Sequence, residues 1–186
     1  MIRVIVTGAA GKMGREVVKA VSAEPDMTVV AAVDPANAGT TVEDGAGGTV
    51  AVEGDLRAAI AATTPDVMVD FTHPSVVEQN LRIALGAGVH CVVGTTGLPA
   101  ETLEDLAADA QGEACLFVAP NFAIGAVLMM RFAAEAARFM PHVEIIELHH
   151  DRKADAPSGT ALRTAGLIAA ARSEVPAAPG KETEIA

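Results

Sequence analysis

Runs of Val and Ile alternate with Ala-rich stretches along the chain, and the alternation predicts its elements. The opening segment IRVIVTGAAGKMGREVVKAVSAEPDMTVVAAVD reads as an apolar strand over Ile2–Val6, a Gly-rich turn and a helix to about Ala23. After the breaker EPD comes a second strand, Met27–Val33, which completes a βαβ unit. PANAGTTVEDGAGGTVAVEGD is rich in turn residues and predicts a loop with one short strand at Thr49–Val52. The alternation then resumes with a helix in LRAAIAATT, a strand in PDVMVDF and a helix starting at Pro74 or Ser75 in HPSVVEQNLRIALGAG. A strand in VHCVVG, a helix in PAETLEDLAADAQG and a strand in EACLFVAP follow. Strands and helices joined this way predict an α/β fold, a doubly wound and mostly parallel sheet of Rossmann-like type.

After APNFAIGA the texture changes. A longer helix is expected over Ala123–Met140, a strand in HVEIIELHH, then a polar loop and a last helix in SGTALRTAGLIAAAR. A boundary near Phe122 divides the chain into residues 1–122, a dinucleotide-binding domain by the motifs below, and residues 123–186, the first part of a smaller α+β domain. The tail SEVPAAPGKETEIA reads as loop.

Composition narrows the choice of function. Apolar residues make up 51% of the chain and aromatics 3%, with no Trp or Tyr, so Ala, Val, Leu, Ile and Met must build the core. Interfaces anchored by aromatic residues are not expected. A net charge of −11 opposes non-specific binding to nucleic acid. No apolar run approaches the roughly 18 residues of a membrane span, and MIRVIVTGAAG lacks a signal-peptide layout. The expectation is a cytoplasmic protein with neither membrane nor nucleic-acid partner. Cys91 and Cys115 sit in apolar runs without metal-ligand spacing and read as buried free thiols. No metal site is expected.

Gly8, Gly11 and Gly14 follow the first strand and open a helix. The dinucleotide fingerprint spaces its glycines by two and then three; here both spacings are three. The chemistry is similar, because a backbone without Cβ turns tightly and approaches a pyrophosphate, and the helix start offers free N–H groups. Asp34 closes the second strand, placed to accept from a ribose hydroxyl. A tight βα turn explains the glycines alone; turn, strand context and terminal Asp together favour a dinucleotide. Lys12 in the turn could meet a 2′-phosphate and offset Asp34, which leaves NAD and NADP both open. GTTG (Gly94–Gly97) and APNF (Ala119–Phe122) fall on the same carboxyl edge, where open α/β sheets bind ligands. DFTHP shares that edge, with His73 read as a structural or rim residue.

The other concentration of chemistry is ELHHDRKADAPSGTA, Glu147–Ala161. His149 and His150 are strand neighbours whose side chains should oppose each other, which makes them poor joint metal ligands. Arg152 and Lys153 follow. Pro157 stiffens the approach, and Ser158 is a good N-cap for a helix starting at Gly159. Gly159 lets a ligand near the free N–H groups and Thr160 adds a hydroxyl. A solvated charged loop is the plain alternative. Cations converging on an anion-receptive helix start suit a small acidic substrate, with His and Lys as proton carriers.

Taken together, GAAGKMG, DFTHP, GTTG, APNFAIG and ELHHDRKADAPSGTA strongly resemble the 4-hydroxy-tetrahydrodipicolinate (dihydrodipicolinate) reductase family of the diaminopimelate route to lysine. The resemblance runs through the whole chain in the family's motif order. It implies that Gly8, Ala9, Ala10, Gly11, Lys12 and Met13 hold the cofactor pyrophosphate, with Asp34 on the ribose. It implies further cofactor contacts from Gly94, Thr95, Thr96, Ala119, Pro120, Asn121 and Phe122. His149 is implied as proton donor and acceptor, Lys153 as proton donor, and His150, Gly159 and Thr160 as substrate-binding residues. The implied reaction passes a hydride from NADH or NADPH to a cyclic dicarboxylate with loss of water, in a homotetramer. Family members extend further at the C-terminus, so the chain is expected to carry part of the second domain and to be weakly active or inactive alone. Two other readings remain: another small-substrate NAD(P) dehydrogenase on the same scaffold, and a non-catalytic nucleotide-binding fragment.

Overall fold

The computed structural model describes residues 1–119, 121–140, 142–149 and 156–173. The chain divides into two compact units, Met1–Ala119 and Pro120–Ala186.

The first unit is built on a seven-stranded sheet. Its strands are β1 (Ile2–Thr7), β2 (Met27–Val33), β3 (Thr41–Glu43), β4 (Thr49–Glu53), β5 (Val67–Asp70), β6 (His90–Val93) and β7 (Leu116–Val118). The order across the sheet is β3-β4-β2-β1-β5-β6-β7. All pairs are parallel except β3 with β4. The helices α1 (Lys12–Ala23), α2 (Leu56–Thr63), α3 (Pro74–Gly86) and α4 (Ala100–Ala108) connect these strands. The sequence-predicted architecture is present. The short edge strand β3 was not expected, because its stretch TTVE reads as turn composition and is held only by pairing with β4, Val42 opposite Val50.

The two-residue period of β1 sorts its side chains to opposite faces. Val4 and Val6 pack with Val18 and Val21 of α1 and with Ala32, Val42 and Val52. Ile5 faces the other way, into a larger cluster with Met68, Val77, Leu81, Leu85, Cys91 and Leu106. Because both faces are covered, the central strands read as unbroken apolar runs.

Local signals fix the helix starts. The Asp55 carboxylate caps α2, accepting from the N–H groups of Arg57 at 2.8 Å and Ala58 at 3.1 Å. The helix ends at Thr64, which adopts the left-handed conformation with φ +42°. Pro74 opens α3 behind His73, whose Nδ1 accepts from Ser75 N at 3.2 Å.

In the second unit the described helices are α5 (Ile124–Ala136) and α6 (Gly159–Ser173). The strand expected in HVEIIELHH is not formed over residues 142–149. A strand exists through its ladder, and no described strand pairs with this segment. Its apolar side chains stay open to solvent, Ile146 at 81% and Leu148 at 90%. Cys115 corrects another expectation: the thiol is exposed, whereas Cys91 is buried as expected. Among the described residues no helix is long and apolar enough to cross a membrane.

Candidate active site

A cleft of about 710 Å³ opens where β1, β2, β4 and β5 end, lined in part by Gly8, Gly11, Asp34, Gly54 and Phe71. Here the chain goes from β1 outward to β2 on one side and to β5 on the other, so the sheet leaves a crevice at its carboxyl edge. Gly8 has φ +69°, and a Cβ there would stand 2.5 Å from the carbonyl oxygen of Phe71. At Gly14 a Cβ would collide with the Gly8 carbonyl, so this glycine lets α1 close onto the turn. Gly8 N donates to Val33 O at 2.9 Å, which ties the turn to the end of β2. The result is a cradle of bare backbone that any side chain would fill, beside the start of a twelve-residue helix. That suits a pyrophosphate.

Of the other turn residues, Ala9 is fully buried, Ala10 is half-buried, and Lys12 and Met13 are exposed at the start of α1. Asp34 follows β2 directly. Its N–H donates to Glu53 O at 2.9 Å, and its carboxylate accepts from Asn37 Nδ2 at 3.1 Å. The carboxylate therefore sits at the cleft with a set orientation.

Asp70, the last residue of β5, was not singled out from sequence. It is completely buried, and its carboxylate is the hub of the ligand edge. Oδ2 accepts from Thr7 Oγ1 at 2.7 Å and Asn80 Nδ2 at 2.9 Å. Oδ1 accepts from Thr72 N at 3.0 Å, Thr72 Oγ1 at 2.7 Å and Thr95 Oγ1 at 3.0 Å. One anion thus ties together the ends of β1 and β5, the loop after β6, and α3. A charge can be buried when its hydrogen bonds are this complete. The signal in the sequence was an acid closing an apolar strand, as Asp34 does, but its donors lie far away along the chain.

Gly94 and Thr95 follow β6. The ring of Phe71 lies where a Gly94 side chain would be, Thr95 is buried on Asp70, and Thr96 is exposed. Ala119 is half-buried and its N–H donates to Val93 O at 3.1 Å.

The remaining candidates belong to the second unit. Asn121 is held by two contacts: its Oδ1 accepts from Ala123 N at 2.8 Å and its Nδ2 donates to Thr160 Oγ1 at 3.2 Å. Phe122 is 44% exposed. Ser158 caps α6 as expected, its Oγ accepting from Ala161 N at 3.1 Å. The Ser158 N–H in turn donates to both carboxylate oxygens of Glu147 at 3.0 Å. Glu147 is a second residue that sequence reasoning passed over. Gly159 and Thr160 are half-buried in the first turn of α6, and His149 is exposed. Pro120, His150 and Lys153 lie outside the described residues.

The doubly wound sheet and its glycine cradle define the class: a Rossmann-like, dinucleotide-binding fold. Residues 2–122 match the family described as "Dihydrodipicolinate reductase, N-terminus", and residues 125–186 match "Dihydrodipicolinate reductase, C-terminus". The chain belongs to the dihydrodipicolinate reductase family. It is 52% identical over 176 residues to the 4-hydroxy-tetrahydrodipicolinate reductase of Syntrophomonas wolfei, covering 91% of this chain and 65% of that protein. It is 53% identical over 177 residues to the reductase of the same name from Gloeobacter violaceus, covering 90% and 65%. The dipicolinate-bound dihydrodipicolinate reductase from Paenisporosarcina sp. TG-14 superposes with a TM-score of 0.74 at 42% identity, over 100% of this chain and 72% of that one. The chain spans about 65% of the length of the curated relatives it matches.

Proposed function

We propose that the protein is an NAD(P)H-dependent reductase that converts 4-hydroxy-tetrahydrodipicolinate to tetrahydrodipicolinate with loss of water, in diaminopimelate and lysine biosynthesis. The observation that carries this reading is the cradle at Gly8 and Gly14, set beside the Asp34 carboxylate at the mouth of the cleft. In this reading the turn from Gly8 to Met13 receives the pyrophosphate and Asp34 accepts from the adenosine ribose. Gly94, Thr95, Thr96 and Ala119–Phe122 border the cofactor. The nicotinamide, when bound, supplies the hydride.

The second unit supplies the groups for an acidic substrate. Gly159 and Thr160 offer N–H and hydroxyl donors at the start of a capped helix, where a carboxylate is favoured. His149 gives and takes a proton, Lys153 donates one, and His150 binds substrate. The dipicolinate bound to the Paenisporosarcina protein is a small dicarboxylate, which supports the same ligand class here. A cytoplasmic setting and a homotetramer belong to this proposal; the exposed apolar side chains of α5, Ile124 and Phe132, support self-association.

The test mixes the protein with NADPH or NADH and freshly generated 4-hydroxy-tetrahydrodipicolinate and follows the absorbance of the reduced cofactor. Slow substrate-dependent oxidation is expected of the 186-residue chain, and Lys153→Ala should lower its rate about a hundred- to ten-thousand-fold. Cofactor binding without any substrate-dependent oxidation would favour a non-catalytic nucleotide-binding protein instead.

A further inference from the structure

Asp34 favours a cofactor with a free 2′-hydroxyl, because its carboxylate repels a 2′-phosphate at the same place. Lys12, the cation that the motif offers, is the first residue of α1 and does not line the cleft. Arg57 does, in company with Asp34, Pro35, Gly54 and Asp55. The topology explains why. β4 pairs with β2 so that Glu53 lies beside Val33, and the chain segments leaving the two strands, Asp34–Ala36 and Gly54–Arg57, border one end of the cleft.

The Arg57 guanidinium is also unspent among the described residues, where it makes no hydrogen bond or ion pair, while the neighbouring Asp55 carboxylate is occupied in capping α2 through the N–H groups of Arg57 and Ala58. Arg15, by contrast, donates to Ala10 O, and Arg3 donates to the carbonyls of Thr63 and Thr64. His73 lines the cleft too, but its Nδ1 is engaged by Ser75. A planar fork of N–H donors in the same cleft lining as Asp34 is the group that recognises a phosphate oxygen pair and offsets the carboxylate.

We propose that Arg57 is the residue that admits the 2′-phosphate, so that the chain takes NADPH through Arg57 and NADH without it. This rests on the dinucleotide reading of the cleft. Reaching from the second residue of a neighbouring helix, the side chain leaves the ribose hydroxyl to Asp34 when no phosphate is present, which gives one site two cofactors.

Calorimetric titration of the 186-residue chain with NADPH, NADH, 2′,5′-ADP and 5′-ADP tests the proposal. Arg57→Ala should weaken NADPH and 2′,5′-ADP by about tenfold or more and leave NADH and 5′-ADP within about twofold. Arg57→Lys should recover part of the loss, and Lys12→Ala should not separate the 2′-phosphorylated ligands from the others. Equal weakening of both cofactors in Arg57→Ala, no weakening, or selective loss in Lys12→Ala alone would overturn it. So would a wild-type chain that binds NADH and not NADPH, although the dinucleotide reading would then stand. A wild-type chain that binds none of the four ligands removes both.

Discussion

Thr95 Oγ1 donates to Asp70 Oδ1 at 3.0 Å, across 25 residues of chain and with both side chains buried. This contact joins the loop after β6 to the end of β5. It makes the position of the Gly94–Thr96 loop depend on a carboxylate that has no room to touch solvent. Asp70→Asn replaces an acceptor by a donor on one side of a network in which every partner donates. The expected cost is on the order of 3 kcal/mol, from the unpaired donors left in the interior. Chemical denaturation checks it; a loss within about 0.5 kcal/mol, the range of a neutral surface change, would show that the network contributes little.

The two thiols should separate by reactivity. Burial, with the nearby Asp70 charge adding to it, pushes the Cys91 thiol up to about 12, whereas Cys115 is exposed. An aromatic disulfide reagent at pH 8 should therefore titrate one thiol in the folded chain and a second only after denaturation. Stability follows with a definite sign. Between about pH 9, where the unfolded thiol ionises, and about pH 12, the folded state keeps a proton that the unfolded chain has released. The contribution of Cys91 is complete below that window and declines as pH rises through it. Cys91→Ser should flatten the decline; an unchanged alkaline profile would contradict the assignment.

His149→Ala should lower kcat by about a hundred- to ten-thousand-fold with a smaller change in KM, as expected when a proton transfer in the transition state is lost. Equal kcat in the variant and the wild type would remove His149 from the chemistry.

The sheet was legible because each of its signals is local. The ends of IRVIVT and MTVVAAV, Val4–Thr7 and Ala31–Val33, are buried on both faces, so burial and composition say the same thing there, and the Gly8 turn between them must be glycine on backbone grounds alone. HVEIIELHH carries an equally strong apolar pattern, but a pattern specifies a strand only when a neighbouring strand completes its ladder, and no described strand pairs with it. Cys115 was misjudged because the apolar run CLFV extends past the strand: β7 begins at Leu116, and Cys115 stands just ahead of it with its thiol exposed. The candidate site was legible where a motif concentrates it, at Gly8–Gly14, Asp34 and Ser158. Asp70, Glu147 and Arg57 were not, since each acquires its meaning from partners or neighbours brought close by folding. Arg57 in particular reads as an ordinary surface helix residue until β4 is seen to lie beside β2.

A crystal structure of the chain with NADH bound tests the central claim most directly. The account predicts the pyrophosphate against the N–H groups of the Gly8–Met13 turn, with a ribose hydroxyl within hydrogen-bond distance of the Asp34 carboxylate. A dinucleotide bound elsewhere, or a cleft that stays empty at saturating NADH, would contradict it.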